Sequence, residues 1–200
     1  MVSWSQFYFI YGNENMHTVT INDVMSFEPC GFNKENDGKH YTLERVTDLF
    51  DGRENVNGLD VLNSSIPSED KLWLALHNPF FSDRDLHWLA CQFASWSLHF
   101  FEENCPGDKR PRQAIETKLR WLDGKATDVE LAAARNAVEN AAARNAAWAV
   151  ARAAAWAAAA ENAARAAWAA AWAAAWDAAG NAARDVFIEI IKTKLIGNDL

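Results

Sequence analysis

Between Leu131 and Arg184, 32 of 54 residues are alanine, and most of the others are Trp, Arg, Asn, Glu or Asp. No other stretch limits the fold so strongly. Alanine leads the helix-propensity scale by roughly 0.5 kcal/mol per residue over β-branched side chains, so the segment reads as helix throughout. An alanine face adds little burial, since each CH₂ removed from water is worth about 0.8 kcal/mol. The indoles must therefore supply the adhesion.

The segment repeats every four residues, one register running Arg144, Trp148, Arg152, Trp156, Ala160, Ala164, Trp168, Trp172, Trp176, Gly180 and Arg184. A period of four against 3.6 residues per turn rotates this row by about 40° per repeat, so on one straight helix it would circle the axis. A single helix would also be about 80 Å long, out of scale with a domain of this size. We expect two to four shorter helices folded against each other, broken near Asn140 to Asn145, at Glu161-Asn162 and at Gly180-Asn181. Pointing inward, Trp168, Trp172 and Trp176 fill the core of that bundle; pointing outward, they form an aromatic patch suited to a partner protein. The inward reading leads, because alanine helices have no other means of burying enough area.

The remainder of the chain carries conventional signals. Trp4, Gln6, Tyr8 and Ile10 alternate with Ser5, Phe7 and Phe9, the turn residues Gly12 to Asn15 follow, and His17 to Ile21 alternates again, which predicts a β-hairpin. Glu28 to Gly31 breaks the chain, and Asn33 to Lys39 reads as a polar loop. Leu43, Val46, Leu49 and Phe50 mark a short amphipathic helix stopped at Asp51-Gly52, and Leu59 to Leu62 reads as a further helical turn or a docking segment. Ser68 is expected to cap a helix with Leu72, Trp73, Leu76 and His77 on one face, ended by Asn78-Pro79. Ser82 caps a longer one carrying Leu86, Leu89, Ala90, Phe93 and Ser97, closed by Pro106-Gly107. Pro111 starts the next, Asp123-Gly124 stops it, and Thr127 with Glu130 forms a capping box.

The formal charge is −8. Residues 1–126 carry 12 basic and 19 acidic side chains and residues 127–200 carry 7 and 8, so the acidity sits in the first part. No basic stripe exists to hold a phosphate backbone, which argues against direct nucleic-acid binding. The longest uncharged run in the alanine segment, Ala166 to Trp176, falls short of the roughly 20 residues that span a bilayer. Three cysteines and no charged-then-apolar opening segment point to a reducing, cytoplasmic setting.

His87 and Cys91 stand one helical turn apart, a spacing that presents two ligands on one face, but no second pair completes a metal set, and the expected arrangement is a buried cysteine with a rim histidine. A nucleophilic role for Cys91 lacks an orienting carboxylate or oxyanion motif, and Cys30 and Cys105 read as free thiols in turns. The carboxylates of Glu102-Glu103 and of Asp83 and Asp85 lie at helix ends, where solvated charge is ordinary. No glycine-rich phosphate loop is present. No catalytic, cofactor or metal site is therefore expected. Trp168, Trp172, Trp176, Glu102, Glu103 and Asp108 remain as candidate partner-binding residues.

Several blocks resemble a family of uncharacterised proteins common in bacteriophage and bacterial genomes, some of which carry an immunity-protein label. They are Thr20 to Val24 leading to Pro29-Cys30, Pro67 to Trp73, Asp83 to Leu86 running into Ala90-Cys91, Gly124 to Ala134, and the tail at Ala174 to Gly180. The resemblance runs from Ile21 to Arg184, and the order of the blocks is more specific than the tail alone. The family supplies no catalytic residues to carry over. It implies a phage-associated, non-enzymatic inhibitor.

The fold expected is mainly α, a helical bundle with alanine-rich C-terminal helices and a short N-terminal β-hairpin. Residues 1–40 are expected to form the hairpin and loop, 41–126 an amphipathic helical region, and 127–200 the Ala/Trp helices packing on it, together one compact domain. The function expected is binding a protein partner, either a host defence nuclease complex or a toxin. The alternative is a scaffold whose Ala/Trp helices drive homo-oligomerisation.

Overall fold

A computed structural model describes residues 17–29, 41–77, 79–142 and 181–197. The Trp4 to Ile10 run, its turn, Cys30, the polar loop and residues 143–180, with Trp168, Trp172 and Trp176 among them, lie outside the described residues. The protein is mainly helical with a small two-stranded antiparallel sheet, as its patterning predicts. Its contacts divide it into two compact units, Met1–Gly58 and Leu59–Leu200.

In the first unit, strand β1 (Thr18–Thr20) pairs with β2 (Asn55–Asn57), matching Thr18 to Asn57, Val19 to Val56 and Thr20 to Asn55. The alternation at residues 17–21 thus finds its partner far along the chain. Thr20 ends the strand because it caps helix α1 (Ile21–Ser26): its Oγ1 accepts from the Asp23 amide at 3.2 Å, and its own amide donates to the Asp23 carboxylate at 2.8 Å. Both orphan donors are satisfied reciprocally, an arrangement worth about 1 kcal/mol. Helix α2 (Leu43–Phe50) is capped by Thr42, whose Oγ1 accepts from the Arg45 amide, and it ends at Asp51 in the left-handed region with φ 50°. Val19, Val24, Tyr41, Val46, Phe50 and Val56 form the buried set of this unit.

Helix α3 (Gly58–Asn63) leads into the second unit, followed by α4 (Ser68–Ala75), α5 (Asp83–Asn104), α6 (Arg110–Leu122), α7 (Asp128–Ala142) and α8 (Asn181–Leu195). Ser68 is the first helical residue rather than the cap. The cap position belongs to Pro67, which is held extended at φ −55° and ψ 145° and has no side-chain bond to offer, so only its carbonyl receives the first amides. Ser82 does cap α5, accepting from the Asp85 amide at 3.2 Å.

Helix α5 is the spine of this unit. Leu86, Leu89, Ala90, Phe93, Ser97 and Phe101 are all buried, at the spacing of a helix face. On it pack α6, itself covered by α7, and α8, which also lies against α4. The α8 contact is aromatic: the Phe93 and Phe187 rings lie 4.5 Å apart, and Trp96 meets Phe187 edge-on at 5.5 Å. Lys194 pairs with Asp85 at 3.1 Å and lies over the Trp88 ring, which fixes the C-terminal end of α8.

The turn from α6 to α7 is closed at both ends. Gly124 adopts φ 69°, its amide donates to Trp121 O at 2.9 Å, and the Lys125 amide reaches Arg120 O at 2.7 Å. This two-bond closure needs a left-handed residue, which glycine supplies without strain. The predicted capping box follows, Thr127 Oγ1 accepting from the Glu130 amide at 3.2 Å while Glu130 accepts from the Thr127 amide at 2.8 Å. Leu131 and Val138 then point α7 into the core.

Candidate functional site

The candidate acidic residues part company at the junction of α5 and α6. Glu102 holds Arg112 through two bonds of 2.7 Å, with Lys109 at 3.7 Å. Arg112 holds the Glu102 carboxyl below its ordinary range. Asp108 accepts from the Arg110 guanidinium and from the Arg110 amide, and so fixes the start of α6. Its carboxyl is also held below the usual range by that guanidinium. Glu103, by contrast, is exposed. Glu102 is thus committed to joining α5 to α6 and Asp108 to starting α6, and both are held in place by arginine.

A different set of carboxylates faces solvent. Glu44, Asp48 and Asp51 are exposed at spacings of four and three residues along α2 and its cap, opposite the buried Val46 and Phe50, with exposed Glu54 just beyond. None of the four makes an ion pair with another described residue. Asp48 lies in the last turn and Asp51 at the C-cap, and that last turn carries no basic residue. Negative charge there opposes the helix dipole, at about 0.3–1 kcal/mol each. Asp51 suits its left-handed cap position, where Asp is tolerated better than most side chains, but folding gives no such reason for Asp48. The i, i+4, i+7 spacing of these acids is readable in the sequence, but the apolar stripe of the same helix is the stronger signal and masks it.

The histidine and cysteine of α5 meet a partner that the spacing does not announce. Lys118, on α6, is fully buried, continuing the inward row of Pro111, Ala114 and Ile115. Its ammonium sits 4.0 Å over the Trp121 ring. Trp121 in turn meets His87 edge-on at 6.0 Å and donates through Nε1 to Asp128 of α7 at 2.7 Å. His87 is therefore not a rim residue: it is 5% exposed, because α6 covers it. Burial, reinforced by the Lys118 charge and opposed by Asp83, lowers its pKa to about 4. Burial pushes the Cys91 thiol up to about 12 and draws the Lys118 ammonium down to about 8. His87 Nδ1 has no hydrogen-bond partner. A lysine read by type alone belongs on the surface, so the residue pattern carries no warning of this cluster.

Among the described residues, no three His, Cys, Asp or Glu side chains gather as a metal set, and no helix is long and apolar enough to cross a membrane. Comparisons with protein-family models, with curated proteins and with solved structures return no match.

Proposed function

We propose that the protein acts by binding another protein that presents a basic surface, using the acidic side of α2. The observation that carries this reading is the placement of Asp48, an exposed carboxylate set against the dipole of its own helix and in one row with the exposed Glu44 and Asp51. Charge kept where it weakens the fold is charge kept for a contact, and a field of one sign steers a complementary partner and speeds its approach. Proteins that handle nucleic acid carry such basic surfaces to hold phosphate. The overall charge of −8 and the resemblance to phage and bacterial proteins support the narrower reading, a non-enzymatic inhibitor of a host defence nuclease or a toxin in the bacterial cytoplasm.

The test compares the parent protein with the Asp48→Lys/Asp51→Asn variant. Removing acid from the end of α2 relieves the dipole, so the variant is expected to melt no lower than the parent. Capture of the partner from bacterial lysate, followed by titration of the purified complex, is expected to show at least tenfold weaker binding. Equal affinity for parent and variant, or no partner recovered by either, overturns the proposal.

A further inference from the structure

His87 and Cys91 share one face of α5, one turn apart, and both lie beneath α6. Residues one turn apart on a helix face have Cβ atoms about 5–6 Å apart, near enough for two side chains to share one bound ion. Cys91 is a free thiol with no exposed surface. His87 Nδ1 is a buried nitrogen that makes no hydrogen bond, and such an orphan asks for an occupant. With the ring proton on Nε2, Nδ1 presents a lone pair.

We propose that His87 Nδ1 and Cys91 Sγ form a buried two-coordinate site for a soft monovalent metal ion of the copper(I) or silver(I) class. The ligand count decides the metal. Zinc asks for four ligands, and no third His, Cys, Asp or Glu joins this pair among the described residues. A thiolate with an imidazole is instead a soft pair suited to copper(I), which is satisfied by two ligands. On binding, the Cys91 S–H bond breaks, the sulfur–metal bond forms with the electron pair left on sulfur, and the proton goes to solvent. The metal enters and stays in the +1 state, so no electron moves. The incoming ion replaces the thiol proton one for one, so the net charge of the cluster, Lys118 included, is unchanged by binding. Because α6 covers both ligands, loading is slow and the bound ion is shielded from water.

The test uses the full chain with Cys30→Ser and Cys105→Ser, so that Cys91 is the remaining thiol. Copper(I) is supplied without oxygen in competition with a chromogenic copper(I) chelator and given hours to equilibrate. One equivalent is expected to bind, with a thiolate-to-copper(I) ultraviolet band and a raised melting temperature. Cys91→Ser is expected to abolish binding, and His87→Leu to weaken it at least tenfold. X-ray absorption at the copper edge of the loaded protein is expected to show one sulfur and one nitrogen neighbour, and it decides the matter even where a variant fails to fold. No binding, binding unchanged by either substitution, or a different ligand set overturns the proposal.

Discussion

Lys118 shows how one side chain can contradict its own residue type. Its stem completes the apolar row of α6, and its ammonium rests on the Trp121 face, where a desolvated cation–π contact is worth about 2 kcal/mol. That does not offset burial, since the pKa is drawn from 10.5 down to about 8. The unfolded chain therefore binds a proton between these values that the folded chain does not, so this group makes stability rise with pH from about 8, until above 9 the raised Cys91 thiol opposes it. With chelator present, denaturant titrations from pH 7 to 9 should show this rise, and Lys118→Met should remove it. A stability that stays flat with pH in the parent would contradict the placement. His87 acts on the acid side: its folded pKa of about 4 lies below the ordinary 6.5, so its contribution is lost as pH falls from 6.5 toward 4. None of this is legible in the sequence, because periodicity marks a face as inward without saying which face an inserted charge will share.

Elements are the most readable scale, and the reason is chemical. Ser82, Thr127 with Glu130 and Gly124 each solve a local hydrogen-bond problem with local residues, and each stands where its type and spacing predict. Ser68 fails as a cap because the preceding proline already holds the extended position. The pairing of residues 18–20 with 55–57 is not readable, because nothing local links two strands so far apart in the chain. Gly124→Ala should cost about 1 kcal/mol, all of it backbone strain, since no atom lies within 4 Å of an added Cβ. A loss near zero by chemical denaturation would mean that the turn relaxes. The docking of α8 contributes more. Phe187 is fully buried between Phe93 and Trp96, and Phe187→Ala should lower stability by about 3–5 kcal/mol, measured the same way.

For the molecule as a whole, the acidity is legible as a sum but not as a map. Of the acids named from the sequence, Glu102 and Asp108 are held by arginines, whereas the exposed row lies on α2 in the first unit. This division makes a separable prediction about salt. Raising ionic strength should weaken partner association strongly, because it screens an open field. It should shift the melting temperature only slightly, because exposed ion pairs such as Arg84 with Asp123 contribute about 0–1 kcal/mol. A melting temperature that tracks salt as steeply as binding does would place the charge in the fold instead.

The aromatic seat of α8 also bears on how the chain is made. Phe93 and Trp96 are synthesised early, yet the ring that covers them, Phe187, emerges from the ribosome only after the whole alanine tract has been translated. A product that stops inside that repetitive stretch therefore leaves the Phe93 and Trp96 rings without the Phe187 ring that packs on them.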